Sequence, residues 1–202
     1  MPRSFWPRRL GGHGLILGAA MLLCTVPVGL AGDPTIWCEE PQPLIARGVP
    51  ADFGSHAATR LVDWDADGLL DVLVGAGDGT VWLIRNAGTP QEPVFGAPEP
   101  VESAGAPVQV GTGYTGACFA DLSGDGLPDL VVADGSTTAS RRVRLYVNVG
   151  TASSPRFEGY EELHGPEGPD LLPSNSRGRI DVADWNADGT LDLLAGDFDG
   201  YV

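Results

Sequence analysis

Asp63-Trp64-Asp65-Ala66-Asp67-Gly68-Leu69-Leu70-Asp71 is a nine-residue stretch with aspartate at positions 1, 3, 5 and 9 and glycine at position 6. The pattern returns at Asp121-Leu122-Ser123-Gly124-Asp125-Gly126-Leu127-Pro128-Asp129 and at Asp184-Trp185-Asn186-Ala187-Asp188-Gly189-Thr190-Leu191-Asp192. Every copy keeps an oxygen-bearing side chain at positions 1, 3, 5 and 9. The copies begin 58 and 63 residues apart, and a motif that recurs at so long a period predicts a repeat architecture.

Short apolar and alternating segments surround each copy of this motif, which we call the aspartate loop. The apolar run after each loop has the length and composition of a buried strand. The next run alternates, with Val81 and Leu83 on one face and Trp82 and Ile84 on the other in the first copy, as strands do. The predicted strands are Thr59–Val62, Val72–Val74, Thr80–Arg85 and Phe95–Val101, then Ala117–Ala120, Leu130–Val132, Arg142–Val147 and Phe157–Leu163, then Ile180–Ala183 and Leu193–Ala195.

Four strands per unit predict an all-β fold made of β-propeller blades, each a four-stranded antiparallel sheet. The units span about residues 57–106, 115–172 and 178–202, so the chain holds two complete units and part of a third. Propellers typically close with four to eight blades. We therefore expect the partial propeller over residues 57–202 to belong to a longer protein. The alternative is that several short chains assemble into one ring.

Residues 1–31 have the layout of a secretory signal peptide. Three arginines precede an apolar run from Leu15 to Val26, and small residues surround an expected cleavage after Ala31. The run is about half the length that a membrane helix needs, so an uncleaved anchor is the less favoured alternative. The pattern predicts a secreted protein, located outside the cell, on its surface or in the periplasm. Residues 32–56 then lead into the first unit, and no membrane span is expected in the mature chain.

The charge balance is strongly acidic. All 12 basic residues are arginine, and 27 acidic residues give a formal net charge of −15. Such a chain repels nucleic acid and anionic membranes and concentrates divalent cations near itself. We therefore expect cations, and not nucleic acid, as partners.

Two cysteines remain after the predicted cleavage, Cys38 and Cys118. An oxidising compartment permits a disulfide between them. A small buried thiol is equally natural in the predicted strand that holds Cys118. Both alternatives stay open at the level of the sequence.

The aspartate loops have the composition of calcium sites. Ca²⁺ takes six to eight oxygen ligands, which positions 1, 3, 5 and 9 supply from side chains and position 7 from a backbone carbonyl. The alternative is that the aspartates only form side-chain-to-backbone turns, but three sets of mutually repelling carboxylates at the same offsets favour a cation. The predicted ligands are Asp63, Asp65, Asp67, Leu69 and Asp71 at site one, Asp121, Ser123, Asp125, Leu127 and Asp129 at site two, and Asp184, Asn186, Asp188, Thr190 and Asp192 at site three.

Two further expectations concern these sites. An EF-hand needs a glutamate at position 12, where this chain has Val74, Val132 or Ala195, so that motif is excluded. Site one offers four carboxylates and each of the others three, so charge count predicts that site one binds calcium most tightly.

The loop pattern Asp-x-Asp-x-Asp-Gly-x-x-Asp is followed by an apolar strand, by Asn-x-Gly-Thr at 86–89 and 148–151, and by Pro-x-Phe at 93–95 and 155–157. This combination resembles the FG-GAP/VCBS repeat family, which includes the propellers of integrin α subunits. The resemblance covers roughly residues 40–202. It implies a propeller with Ca²⁺ in the loop between the first two strands of a blade, in a secreted or surface protein used for adhesion or for recognition of carbohydrate or protein.

The sequence offers no catalytic constellation, so we expect a recognition module and not an enzyme. The alternative is that the propeller belongs to a secreted carbohydrate-active enzyme, such as a polysaccharide lyase, with catalytic residues elsewhere. His56 and His164 are isolated and read as surface residues. Trp64 and Trp185 share position 2 of their loops, where they either stack on a sugar or pack on the neighbouring strand.

Overall fold

The computed structural model describes residues 22–23, 42–111, 113–135, 142–165, 168, 171–172 and 176–197. Within these ranges the regular structure consists of β-strands, and no helix long and apolar enough to cross a membrane is found. The strands are β1 Leu22–Leu23, β2 Gln42–Pro43, β3 Ile45–Ala46, β4 Val49–Pro50, β5 Ala58–Val62, β6 Asp71–Gly75, β7 Val81–Ile84, β8 Glu99–Pro100, β9 Glu102–Ser103, β10 Ala106–Pro107, β11 Thr115–Ala120, β12 Asp129–Asp134, β13 Val143–Tyr146, β14 Glu161–Leu163, β15 Ser176–Ala183 and β16 Asp192–Asp197.

Three larger sheets follow one another along the chain. Unit one is the antiparallel sheet β5-β6-β7-β8, and unit two is the antiparallel sheet β11-β12-β13-β14. Unit three is the antiparallel pair β15-β16. The register repeats, because Val72 pairs with Leu61 and Ile84 while its equivalent Leu130 pairs with Phe119 and Tyr146. The predicted all-β fold of blade-like four-stranded sheets is confirmed, although the described strands do not close into a ring.

The fourth strands are shorter than the sequence predicted. The expected strands Phe95–Val101 and Phe157–Leu163 are reduced to β8 and β14. In unit one, Pro98 and Pro100 lack the N–H that a ladder needs. Phe95 instead forms isolated bridges with Asn86 and Ala46, and Phe157 forms the equivalent bridges with Asn148 and Ser103. Each Pro-x-Phe segment therefore joins its own sheet to the hairpin that precedes it.

Two short hairpins are a repeated feature that the sequence reading missed. Strands β3 and β4 pair around Arg47-Gly48, and β9 and β10 pair around Ala104-Gly105. All four turn residues have positive φ, between 50° and 80°, as a type I′ turn requires. The turns lack the Asn-Gly or Asp-Gly dipeptide from which such a hairpin is usually predicted. The two hairpins therefore could not be predicted from their local sequence.

The units bury apolar side chains on both faces of their central strands. Leu73, Val81 and Leu83 of unit one form one cluster with Leu130 and Val132 of unit two. The opposite face of unit one packs against the N-terminal segment, in a cluster of Leu44, Ala46, Val72, Val74 and Ile84. A third cluster joins unit two to unit three through Val131, Val143, Leu145, Leu172 and Ile180. The alternation predicted for β7 is thus correct, and both of its faces are buried against different neighbours.

The first strands of successive units lie next to one another. The residue seven positions before each aspartate loop is His56, Tyr114 or Arg177. These three form a ladder, with the His56 ring 4.3 Å from the Tyr114 ring and the Arg177 guanidinium 4.4 Å above it. The strands approach closely at Gly116, where a Cβ would lie 1.6 Å from the carbonyl oxygen of Gly178.

Cys118 is a free, buried thiol on β11. Its Sγ donates a hydrogen bond to the Ile180 carbonyl oxygen at 3.3 Å, and burial raises its pKa. Of the two alternatives for this residue, the structure has the buried thiol. Cys38 lies outside the described residues.

Candidate metal centre

Each aspartate loop connects the first strand of a unit to its second strand and bends twice through the left-handed region. Glycine occupies position 6 in all three, with φ of +85° at Gly68 and +92° at Gly126. Position 4 also has positive φ, at Ala66, Gly124 and Ala187. Alanine rarely adopts this conformation because its Cβ crowds the backbone. The strain at Ala66 and Ala187 shows that the rest of the loop imposes the bend.

The aspartates at positions 1 and 5 fold the loop around themselves. In loop one, Asp63 accepts from the N–H groups of Asp67 and Gly68 at 3.1 Å each, and Asp67 accepts from Leu69 at 2.8 Å. Loops two and three repeat these bonds with Asp121 and Asp184 at position 1. The side-chain-to-backbone turns considered as an alternative are therefore present, and they bring the carboxylates together.

The aspartate at position 9 anchors the loop from the buried side. Asp71 is 2% exposed and Asp129 is fully buried. Asp129 accepts hydrogen bonds from the N–H groups of Leu122 and Ser123 in its own loop and from Asn148 across the sheet, at 2.8 to 3.1 Å. Asp71 does the same with two N–H groups, and desolvation by burial raises its pKa. The position 9 carboxylates are thus the structural base of the loops.

The Asn-x-Gly-Thr segment is tied to the same anchor. The backbone N–H of Asn86 donates to Asp71 Oδ1 at 2.7 Å. The side-chain oxygen of Asn86 accepts hydrogen bonds from the N–H groups of Gly88 and Val94, each at 3.0 Å. The second bond holds the Pro-x-Phe segment, which contains Val94, against Asn86. Asn148 repeats this role in unit two. The three motifs recognised in the sequence therefore form one hydrogen-bonded assembly.

Loop one brings three carboxylates to a single point. One oxygen from each of Asp63, Asp65 and Asp67 lies within 4.8 Å of the others. Ligands of one calcium ion lie 2.3–2.6 Å from it, so two of them are at most about 5 Å apart. Asp65 Oδ1 is buried and accepts no hydrogen bond, a costly state for a carboxylate oxygen. These residues fit a hard divalent cation, because a cation would satisfy that oxygen and relieve the mutual repulsion.

Asp65 also has a partner that the sequence reading missed. The Arg85 Nη1 atom, just beyond the end of β7, lies 2.6 Å from Asp65 Oδ2. The two side chains are 45% and 24% exposed. Unit two has Val147 at the equivalent position, directly before its Asn-x-Gly-Thr segment. Site one therefore carries an internal positive charge that offsets one of its four carboxylates.

A family profile described as FG-GAP-like repeat matches residues 63–132 and 121–195. Together the two matches run from the first residue of loop one to β16 and cover well over half of the chain. The chain belongs to the FG-GAP-like repeat family. No curated protein and no solved structure matches it.

The three FG-GAP-like loops differ in the number of carboxylates at positions 1, 3 and 5. In the second and third loops position 3 is Ser123 or Asn186, so fewer carboxylates meet there than in the first. Among the described residues, no position 9 carboxylate joins a cluster of three acidic groups within 4.8 Å. The predicted ligand sets therefore divide into a group at positions 1, 3 and 5, brought together in loop one, and a buried anchor at position 9. The predicted carbonyl ligands of Leu69, Leu127 and Thr190 belong to the same bends.

The position 2 residues of the FG-GAP-like loops have different surroundings. Trp64 is 4% exposed and stacks on Phe119 of unit two, with ring centroids 4.5 Å apart. Of the two alternatives for this residue, stacking on a sugar or packing on the neighbouring strand, the structure has the second. Trp185, the same residue at the same position of loop three, is 78% exposed.

Proposed function

We propose that this FG-GAP-like chain is a calcium-binding module of an exported protein, and that it serves recognition or adhesion and not catalysis. The observation that carries the calcium assignment is the meeting of Asp63, Asp65 and Asp67 around the unpartnered Asp65 Oδ1. Loops two and three, with the ligands given above, are proposed as weaker versions of the same site. The acidic chain and the secretory layout of residues 1–31 support an extracellular setting, where calcium is abundant.

Calcium would supply positive charge at the centre of each loop. The chain's own residues do the positioning, because Asp71 and Asp129 hold the loop backbone from below. Trp64 follows Asp63 directly and packs between units one and two. Calcium that orders loop one would therefore also fix the contact between the two sheets. This coupling predicts that calcium stabilises the array of units as a whole.

Thermal unfolding in calcium and in chelator tests the assignment. We expect a higher melting temperature in millimolar calcium than in chelator. Asp65→Asn should remove much of the part of this difference in melting temperature that comes from calcium binding at loop one. Glu92→Gln is the matched control, since it removes one charge from an exposed loop of the same unit. Equal melting temperatures of the wild-type chain in calcium and in EGTA would refute the proposal.

The recognition role has a separate test. Binding of the purified chain to arrays of glycans and of extracellular proteins is measured with and without calcium. Saturable binding without turnover supports the module. Release of shortened sugar products from a bound polysaccharide would instead support the alternative, a propeller that belongs to a carbohydrate-active enzyme.

A further inference from the structure

A cleft of about 520 Å³ opens between unit one and unit two, beside loop one. Its walls come from β8, from the hairpin β9-β10 and from the second Pro-x-Phe segment. Its floor is apolar and consists of side chains that are at most 5% exposed, namely Trp64, Leu83, Val101 and Phe157. Clefts of this size hold small molecules or single groups of a larger ligand. The cleft lies at an interior junction, with a four-stranded unit on each side.

Four charged side chains line the cleft without neutralising one another. They are Arg85, Glu99, Glu102 and Arg156, and all four are exposed. Each arginine pairs with a carboxylate that does not line the cleft. Within the described part of the chain, neither Glu99 nor Glu102 forms an ion pair with Arg85 or Arg156. The cleft therefore presents two cationic donors and two anionic acceptors to a molecule that enters it.

The two arginines of the cleft are not required by the repeat. The equivalent of Arg85 in unit two is Val147, and the equivalent of Arg156 in unit one is Val94. A smaller cleft at the corresponding place of unit two contains Leu145 and Val147, and none of the described residues that line it is basic. Arginine binds carboxylates through two parallel hydrogen bonds. The placement of two arginines in one cleft of an acidic chain therefore indicates a carboxylate ligand and not a need of the fold.

The charges of the cleft match a uronic acid, which is a sugar with one carboxylate and several hydroxyl groups. The carboxylate would accept hydrogen bonds from the guanidinium groups of Arg85 and Arg156. The hydroxyl groups would donate to Glu99 and Glu102, because an ionised carboxylate only accepts hydrogen bonds. An acidic peptide side chain has a carboxylate but no hydroxyl groups, so the same two glutamates would repel it. The four side chains together therefore favour an acidic sugar over an acidic peptide.

Arg85 connects this cleft to loop one. Its Nη1 atom lies 2.6 Å from Asp65 Oδ2, and Asp65 is one of the three aspartates that meet in the proposed calcium site. Calcium and Arg85 therefore compete for the negative charge of Asp65. An ion bound by Asp65 would weaken the pair with Arg85 and leave the guanidinium available to a carboxylate in the cleft. The ion would also offset the negative charge of the loop, which otherwise repels an anion.

We propose that this cleft binds a uronic acid residue of an acidic polysaccharide, and that calcium at loop one strengthens the binding by releasing Arg85 from Asp65. Arg85 and Arg156 bind the carboxylate of the sugar, and the two glutamates of the cleft accept hydrogen bonds from its hydroxyl groups. The coupling is reciprocal, so the sugar strengthens calcium binding by the same factor. The effect of calcium rests on the proposed calcium function, whereas the sugar site itself does not.

Titration calorimetry of the purified full chain with trigalacturonic acid tests the proposal. We expect saturable binding that is at least about fivefold tighter in calcium than in EGTA, the lower end of ordinary coupling between two sites. Calcium bound by the sugar itself is measured without protein and subtracted. Arg85→Gln should weaken sugar binding at least about tenfold, the effect of losing a hydrogen bond between charged groups. Arg47→Gln removes an exposed positive charge outside the cleft and should leave sugar binding unchanged.

Asp65→Asn separates the sugar site from the calcium site. The substitution removes the carboxylate that pairs with Arg85. In EGTA, this variant should therefore bind trigalacturonic acid at least about threefold more tightly than the wild type does. If loop one binds no calcium, this gain persists and only the difference between calcium and EGTA disappears from the wild type. A variant that binds the sugar no more tightly than the wild type would contradict the release of Arg85.

The identity of the ligand has its own controls. Galactotriose lacks carboxylates and a tri-aspartate peptide lacks hydroxyl groups, so both should bind at least about tenfold more weakly than trigalacturonic acid. Glu102→Ala should weaken binding of trigalacturonic acid, because it removes an acceptor for a sugar hydroxyl. Unchanged or tighter binding by Glu102→Ala would overturn the assignment of a sugar, as would equal affinity for either control ligand. Absence of saturable binding of trigalacturonic acid in calcium would overturn the proposal as a whole.

Discussion

Replacing Arg85 with glutamine is expected to tighten calcium binding at loop one. In the structure the Arg85 guanidinium lies 2.6 Å from Asp65 Oδ2, and so occupies one oxygen of a predicted ligand. Calcium that binds Asp65 must compete with this ion pair, and it must also tolerate a positive charge beside it. Glutamine keeps a polar side chain of similar shape and removes both effects.

The size of the effect follows from the exposure of the pair. The side chains are 45% and 24% exposed, and ion pairs of this kind contribute about 0.2–1 kcal/mol. Two unit charges near 4 Å apart interact by about 1 kcal/mol in bulk water, and the double charge of calcium enlarges its repulsion from the guanidinium. We therefore expect a gain of at least about 1 kcal/mol, or roughly fivefold in affinity.

Titration calorimetry in an Asp121→Asn, Asp184→Asn background isolates loop one. The control is Arg142→Gln, because Arg142 pairs with Glu162 at the same 2.6 Å distance and similar exposure, but in unit two. We expect Arg85→Gln to bind calcium more tightly than the background, and Arg142→Gln to bind as the background does. An Arg85→Gln variant with unchanged or weaker affinity would show that the guanidinium does not oppose the ion.

Other substitutions test the loops and the junctions. Ala66→Gly should stabilise the chain to urea by about 0.5–1 kcal/mol, because glycine adopts the positive φ found there without a Cβ penalty. Asp129→Ala should cost roughly 3 kcal/mol or more in urea unfolding, even in chelator, because three backbone donors lose their acceptor. Gly116→Ala should lower the melting temperature sharply or prevent folding, since its Cβ would collide with the Gly178 carbonyl. Two hydrogen bonds lower the pKa of Asp78: the larger effect comes from the Thr80 hydroxyl and the smaller from the Thr80 backbone N–H. Its stabilising contribution is therefore present at neutral pH and lost as the pH falls below about 4, and Asp78→Asn should flatten that part of the acid unfolding curve.

The strands and the loop glycines could be predicted from the sequence because their causes are local. The apolar run after each loop predicts a buried strand from its length and composition. The alternation of side chains between two faces predicts β7. Gly68, Gly126 and Gly189 mark bends that only glycine forms easily. The bend at position 4 was missed because two of its three residues are alanine, and only Gly124 gave a signal. The surrounding hydrogen bonds impose that bend, and they are visible only in the folded loop.

The parts of the site that were missed depend on residues far apart in the chain. Arg85 reaches Asp65 from 20 positions away, and nothing in the loop motif indicates the pair. The position 9 aspartates were predicted as ligands, but their bonds to Asn86 and Asn148 require the folded sheet. Trp64 and Trp185 show most clearly what cannot be predicted from a local motif. The same residue at the same motif position is buried in one unit and exposed in another, because the neighbouring unit decides its exposure.

Counting the calcium ions bound per chain by equilibrium dialysis tests the central claim most directly. The three loops predict up to three ions at saturating calcium, with site one lost on Asp63→Asn and Asp65→Asn replacement together. The same count should be unaffected by Glu92→Gln. A wild-type chain that binds no calcium at millimolar concentration, or a double variant that binds as many ions as the wild type, would contradict the account.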